Sequence, residues 1–213
     1  MIKTIFFDLD GVIIDSEPIH AKAKKLTLDE YGIDYPISLF DDFIGQTDEA
    51  FFKHVSETLD TERRPIDLLL QRKQKLFVEL LPEMKFVDGF LFFHQKVKEK
   101  GLKTALVSST SSYTFELIDK IFNISHLVDL LVTEKDTVYH KPHPAPYLKA
   151  LQTLPASTET TIVIEDSPNG IISAKKAGCK VFALTTSFKA EKLTDADKIF
   201  HHYSALAMEL ENP

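Results

Sequence analysis

At 213 residues, 44% of them hydrophobic, the chain is long enough for an α/β domain with an added module and can fill a sizeable core. A formal charge of −7 leaves no basic footprint for nucleic acid, no apolar run approaches the roughly 20 residues of a membrane span, and a single cysteine, Cys179, excludes an internal disulfide and suits a reducing compartment. Lys3 is followed by only a few apolar residues before Asp8, which is not the pattern of a signal peptide. The expectation is a globular, soluble, cytoplasmic protein, a monomer by default, with Cys179 as a small buried side chain.

The first element, "TIFFDL" (Thr4 to Leu9), has the β-branched and aromatic content of a buried strand. It delivers Asp8 and Asp10, and positions i and i+2 of a strand point the same way. Two like charges on one face need a positive partner, so a cation is expected beside them, and Gly11 then turns the chain. From residue 16 to about 85 the pattern is helical: "EPIHAKAKKLTLDEYG", "TDEAFFKHVSETL" opening on Thr47, and "PIDLLLQRKQKLFVELL" with Pro65 in its first turn.

From Gly89 the texture alternates. Helix "GFLFFHQKVKEK" is followed by strand "KTALVSS", helix "SYTFELIDKIF", strand "LVDLLVT", helix "PAPYLKALQTL", strand "TIVIED", helix "NGIISAKKAG" and strand "KVFAL". Such alternation predicts a doubly wound, Rossmann-like parallel sheet with helices on both faces. The α/β core then comprises residues 1–15 and 87–213, and residues 16–86 form an inserted helical-bundle cap domain, joined through linkers at Ile14 to Glu17 and Phe86 to Gly89. Ligands of open α/β sheets bind at the carboxyl ends of the strands, where a cap after the first strand would cover them.

Each of those strand ends carries polar chemistry: Asp8 and Asp10, Ser108 and Ser109, Lys141 in "HKPHP", Glu165 and Asp166. Singly, each is an ordinary surfacing residue; gathered on one edge they form a candidate site. "DLDG" lacks the glycine and acid of a calcium loop at the required offsets, since Ile13 and Ile19 stand there. There is no GxGxxG or P-loop, and the histidines and Cys179 show no zinc-ligand spacing.

"DLDGV" after a strand, Ser108 after another, Lys141 before a proline and "EDSPNGIISAKKAG" together resemble the haloacid dehalogenase-like hydrolase superfamily, in particular its helical-cap branch of β-phosphoglucomutase-like enzymes and metabolite phosphatases. The resemblance covers essentially the whole chain. It implies that Asp8 is the nucleophile that forms an aspartyl-phosphate and that Asp10 is the acid/base. It further implies that Gly11, Ser108, Ser109 and Lys141 receive the phosphoryl group. Magnesium is implied at the Asp8 carboxylate, the Asp10 carbonyl and Asp166, with Glu165 adjoining, directly or through water. Dehalogenases lack the second aspartate, so phosphoryl transfer is favoured over dehalogenation.

The leading expectation is a magnesium-dependent phosphatase acting on a small phosphorylated metabolite, such as a sugar phosphate. The alternative is a β-phosphoglucomutase-type mutase. His20 and Lys73 resemble residues that the mutases use in the cap, but Asp48 stands where they carry a phosphate-gripping arginine after the cap glycine. A catalytically silent binding protein would have lost a site residue, and none is lost. Substrate identity is not legible: Lys22, Lys53, Arg72 and Lys73 are all candidate cap bases.

Overall fold

Thr4, Ile5, Phe6 and Phe7 are all buried and form strand β1 (Thr4–Phe7). The computed structural model describes residues 1–43 and 46–211. After β1 come β2 (Ile14–Asp15) and helices α1 (Glu17–Glu30), α2 (Leu39–Asp42), α3 (Asp48–Thr58) and α4 (Ile66–Leu80). Next are β3 (Lys85–Phe86), α5 (Phe90–Glu99), β4 (Lys103–Val107), α6 (Ser112–Phe122), β5 (Leu130–Val132) and α7 (Ala145–Thr153). The chain continues through β6 (Thr161–Glu165), α8 (Pro168–Lys176), β7 (Lys180–Leu184), β8 (Lys198–Phe200) and α9 (Tyr203–Glu211).

The main sheet has six strands in the order β5-β4-β1-β6-β7-β8, and every neighbouring pair is parallel. β1 lies between β4 and β6, with Phe6 opposite Ala105 and Val163. Those three side chains bury together with Tyr147 and Ala150 of α7 and Ala174 of α8. Phe7 points the other way and packs edge-on against Phe90 and Phe93 of α5 at 5.7 and 6.3 Å. Successive residues of one strand thus bury on opposite faces, which is why β1 reads as a continuous apolar run. The fold is the expected α/β, Rossmann-like, doubly wound sheet.

Three features depart from the sequence reading. β1 ends at Phe7, so Asp8 and Asp10 lie beyond it rather than on its face. The two expected linkers meet as an antiparallel pair, Ile14 opposite Phe86 and Asp15 opposite Lys85, two residues each and too short to show a period. A sixth strand, β8, and a terminal helix, α9, extend the sheet beyond "KVFAL".

By compactness the chain divides into Met1–Asp15 with Lys85–Pro213, and Ser16–Met84. The division falls two residues ahead of the expected boundary because the β2–β3 pairing ties Lys85 and Phe86 to the sheet-bearing unit. The helical unit has its own core of Leu28, Leu39, Phe51, Phe52, Val55 and Leu69. The Thr47 hydroxyl accepts a hydrogen bond from the Ala50 N–H at 3.1 Å and caps α3. The cap glycine of the sequence reading, Gly45, lies outside the described residues. Among the described residues no helix is long and apolar enough to cross a membrane.

Candidate active site

The turn after β1 assembles the site. The Asp8 N–H still donates to the Ile164 carbonyl at 3.0 Å, and then the chain winds tightly, so that the Leu9 carbonyl accepts from the N–H groups of Ile13 and Ile14 at 2.8 and 2.9 Å. Gly11 is required there twice over. Its φ is +68°, and a Cβ on it would lie 1.8 Å from Asp166 Oδ2. This turn, not strand alternation, brings Asp10 onto the same cavity as Asp8. The cavity, of about 330 Å³, is lined by Asp8, Asp10, Ser109, Thr110, Lys141, Ser167 and Asn169.

Asp8 has a positive partner in Lys141. Its ammonium donates to Asp8 Oδ1 at 2.5 Å, Glu165 Oε1 at 2.6 Å and the Val107 carbonyl at 2.9 Å, which uses all three of its protons. Burial works against that ammonium, but Asp8 and Glu165 more than offset it and hold its pKa above the ordinary lysine value. Burial also pushes the Asp8 carboxyl up to about 7, against the pull of Lys141. Asp166 is raised well above the usual carboxylate range, first by burial and then by the charges of Glu165 and Asp8. Carboxylate oxygens of Asp8, Glu165 and Asp166 lie within 4.8 Å of one another, and all three residues are buried.

Three buried carboxyl groups therefore share one ammonium, which pairs with Asp8 and Glu165, and together they form an all-oxygen donor set whose ionised form carries more negative charge than Lys141 offsets. Such a set suits a hard divalent cation in both charge and ligand type. Glu165 is the most heavily engaged of the three. Its Oε1 also accepts from the Tyr147 hydroxyl at 2.7 Å, and its Oε2 accepts from the N–H groups of Asp166 and Ser167 and from the Ser167 hydroxyl.

The sequence pattern of the haloacid dehalogenase-like hydrolases matches residues 5–184. The chain belongs to that family. It is similar to the pyrophosphatase PpaX of Bacillus cereus, 29% identical over 198 residues that cover 92% of this chain and 89% of the relative. It is equally similar to the validoxylamine A 7′-phosphate phosphatase of Streptomyces hygroscopicus, 29% identical over 198 residues with 92% of each chain covered. Among solved structures, a haloacid dehalogenase-like protein of Agrobacterium tumefaciens superposes with a TM-score of 0.82 at 26% identity, over 99% of this chain and 98% of that one.

In this hydrolase the residues singled out from the sequence around the sheet come together: Asp8, Asp10, Ser109 and Lys141 line the cavity, while Ser108, Glu165 and Asp166 are buried beside it at the ends of β4 and β6. Ser108 Oγ accepts from the Thr110 N–H at 2.9 Å. Sequence reasoning did not single out Thr110, whose hydroxyl donates to Asp10 Oδ2 at 2.6 Å, or Tyr147 beneath Lys141. It also passed over Ser187, which donates to Asp166 Oδ2, and Thr186, which donates to the Gly11 carbonyl. None of these carries a motif; only the run "SSTSS" marks a polar strand end at Thr110.

Gly170 of the hydrolase meets the same crowding as Gly11. A Cβ there would lie 1.8 Å from Glu165 Oε1, and Glu165 cannot retreat because five donors hold it. Gly170→Ala is expected to cost about 2–3 kcal/mol of stability, measured by denaturant unfolding. A variant as stable as the parent would show that Glu165 is less fixed than these contacts require.

His20 and Lys73 lie in the helical unit. Lys73 is 1% exposed, and its ammonium donates to Asp48 Oδ2 at 2.6 Å and to His20 Nδ1 at 2.7 Å. The His20 ring stacks on Phe77 with centroids 4.3 Å apart. Asp48 also pairs with Lys24 at 3.3 Å. Burial opposes the Asp48 carboxylate, but Lys73 and Lys24 keep its pKa below the usual range. Of the other candidate bases, Lys22 is paired with Glu83 and Arg72 with Glu30.

Proposed function

We propose that this hydrolase is a magnesium-dependent phosphatase that cleaves a small phosphorylated metabolite through an aspartyl-phosphate at Asp8. The observation that carries the reading is the pairing of Lys141 with Asp8 at 2.5 Å, at a cavity that Asp10 also lines. Asp8 Oδ attacks phosphorus while Asp10 gives a proton to the leaving oxygen. Asp10 then takes a proton from the water that cleaves the Asp8–phosphorus linkage, and inorganic phosphate leaves. Lys141 offsets charge on Asp8 and on the phosphoryl group throughout. Ser109 and Gly11 are assigned to the phosphoryl oxygens through their backbone and Ser108 through its hydroxyl.

Asp8, Asp166 and the Asp10 carbonyl would hold magnesium, and Glu165, occupied by Lys141 and Tyr147, would adjoin it through water. When bound, the ion supplies the charge that lets a phosphate dianion approach three carboxylates. The helical unit is read as the cap that selects the rest of the substrate, with the protein working in the cytoplasm as a monomer.

The choice of phosphatase over mutase rests on Asp48. A mutase must grip a second phosphate while the first is transferred. Here the buried ammonium of Lys73 is already matched by the Asp48 carboxylate, which also takes Lys24. With β-glucose 1-phosphate and magnesium, inorganic phosphate is expected, and added glucose 1,6-bisphosphate should not divert the sugar to glucose 6-phosphate. Bisphosphate-dependent glucose 6-phosphate that far outpaces phosphate release would establish the mutase instead. A wider panel of phosphorylated metabolites, assayed for phosphate release, tests the phosphatase reading as a whole.

A further inference from the structure

Asp10 does not face the cavity alone. Its Oδ2 accepts from the Thr110 hydroxyl at 2.6 Å, across 100 positions of sequence, and Thr110 lines the same cavity. The backbone that carries Thr110 is fixed on both sides. Its N–H donates to Ser108 Oγ at 2.9 Å just past β4, and Ser111 caps α6 by accepting from the Thr114 N–H at 3.1 Å. A β-branched side chain on such a frame has few χ1 choices, so the hydroxyl is held in place.

The chemistry of a hydroxyl then constrains the acid. Thr110 Oγ1 has one proton, and while that proton goes to Oδ2, a proton on Asp10 belongs on Oδ1. Without that contact the carboxyl, whose terminal torsion is broad and two-fold, presents either oxygen. We infer that Thr110 is a positioning residue that fixes Asp10 Oδ1 as the proton-carrying oxygen, so that its influence falls on leaving groups that need protonation. This inference rests on the phosphatase reading.

The proton inventory closes. In the first half the bond from Asp8 Oδ to phosphorus forms, the bond to the leaving oxygen breaks, and the Oδ1 proton moves to that oxygen. In the second half a water oxygen bonds to phosphorus, its proton returns to Oδ1, and the bond to Asp8 breaks.

Two probes separate this role from a structural one. Phenyl phosphate expels a phenoxide of pKa about 10, as for tyrosine, and benefits from an acid; p-nitrophenyl phosphate expels a phenolate that leaves unprotonated. Thr110→Val keeps the shape and removes the hydroxyl, and Thr110→Ser restores it. With magnesium present, Thr110→Val is expected to lower kcat/KM on phenyl phosphate, which reports the leaving-group step alone, by roughly thirtyfold, part of the full worth of general-acid catalysis. Its kcat/KM on p-nitrophenyl phosphate should change by less than about threefold, and Thr110→Ser should recover most of the loss on phenyl phosphate.

An equal loss on both probes, no loss on either, or failure of Thr110→Ser to rescue would overturn the inference while leaving the phosphatase reading in place. A parent enzyme inert toward both probes would count against that reading itself, and the inference would fall with it.

Discussion

Asp8→Asn is expected to lower turnover at least about a thousandfold, on the order of 4 kcal/mol in barrier height, in a protein that stays folded. The amide has the size of the carboxyl but is a poor nucleophile, so the phosphoryl group has nowhere to go. Folding should survive for an electrostatic reason. Burial already pushes the Asp8 carboxyl up to about 7, so its charge is not welcome in the folded state, and Lys141 keeps Glu165 at 2.6 Å when Asp8 is neutral. Steady-state phosphate release, read beside thermal unfolding, checks both halves. Near-parental kcat in a folded variant would remove Asp8 from the chemistry.

Removal of divalent metal should also have a large effect. With chelator in excess, activity is expected to fall at least about a hundredfold and to return on addition of magnesium. Asp8, Glu165 and Asp166 crowd within 4.8 Å, their ion pairs among the described residues come from Lys141 alone, and an entering phosphate brings further negative charge. Asp166→Asn should weaken magnesium binding by at least about tenfold in calorimetry. Asp166 is the suitable position because it lacks the Lys141 contact, so the change leaves the nucleophile's ion pair intact. Full activity in chelator would mean that Lys141 alone balances the site.

Much of this architecture could be read directly from residues. "TIFF", "KTALV", "TIVIE" and "KVFAL" are runs that a strand buried on both faces must have, and each became a strand of the sheet. β8 escaped because Lys198, Ile199 and Phe200 are a three-residue edge strand at most half-buried, with no period to see. The β2–β3 pair escaped for the same reason, and its partners are some 70 residues apart in the chain.

The site divides in a similar way. Asp8, Asp10, Lys141, Glu165 and Asp166 sit in motifs whose order along the chain is itself informative, whereas Thr110, Tyr147 and Ser187 act through contacts formed only on folding. Tyr147 reads as one more apolar residue of "APYLKAL" until its hydroxyl meets Glu165, which lies 18 residues on. Even where the expectation held, its cause changed: Asp8 and Asp10 share a cavity through the Gly11 turn, not through the pleat of a strand.

The central claim is that Asp8 becomes phosphorylated, and the most direct measurement is to trap that species. The enzyme would be mixed with p-nitrophenyl phosphate and magnesium, quenched in acid within one turnover, reduced with borohydride and digested for mass spectrometry. An acyl phosphate at Asp8 predicts homoserine at position 8 in the quenched sample and unmodified aspartate in a control without substrate. Burst release of p-nitrophenol with position 8 unaltered, or with the modification on another carboxylate, would contradict the account.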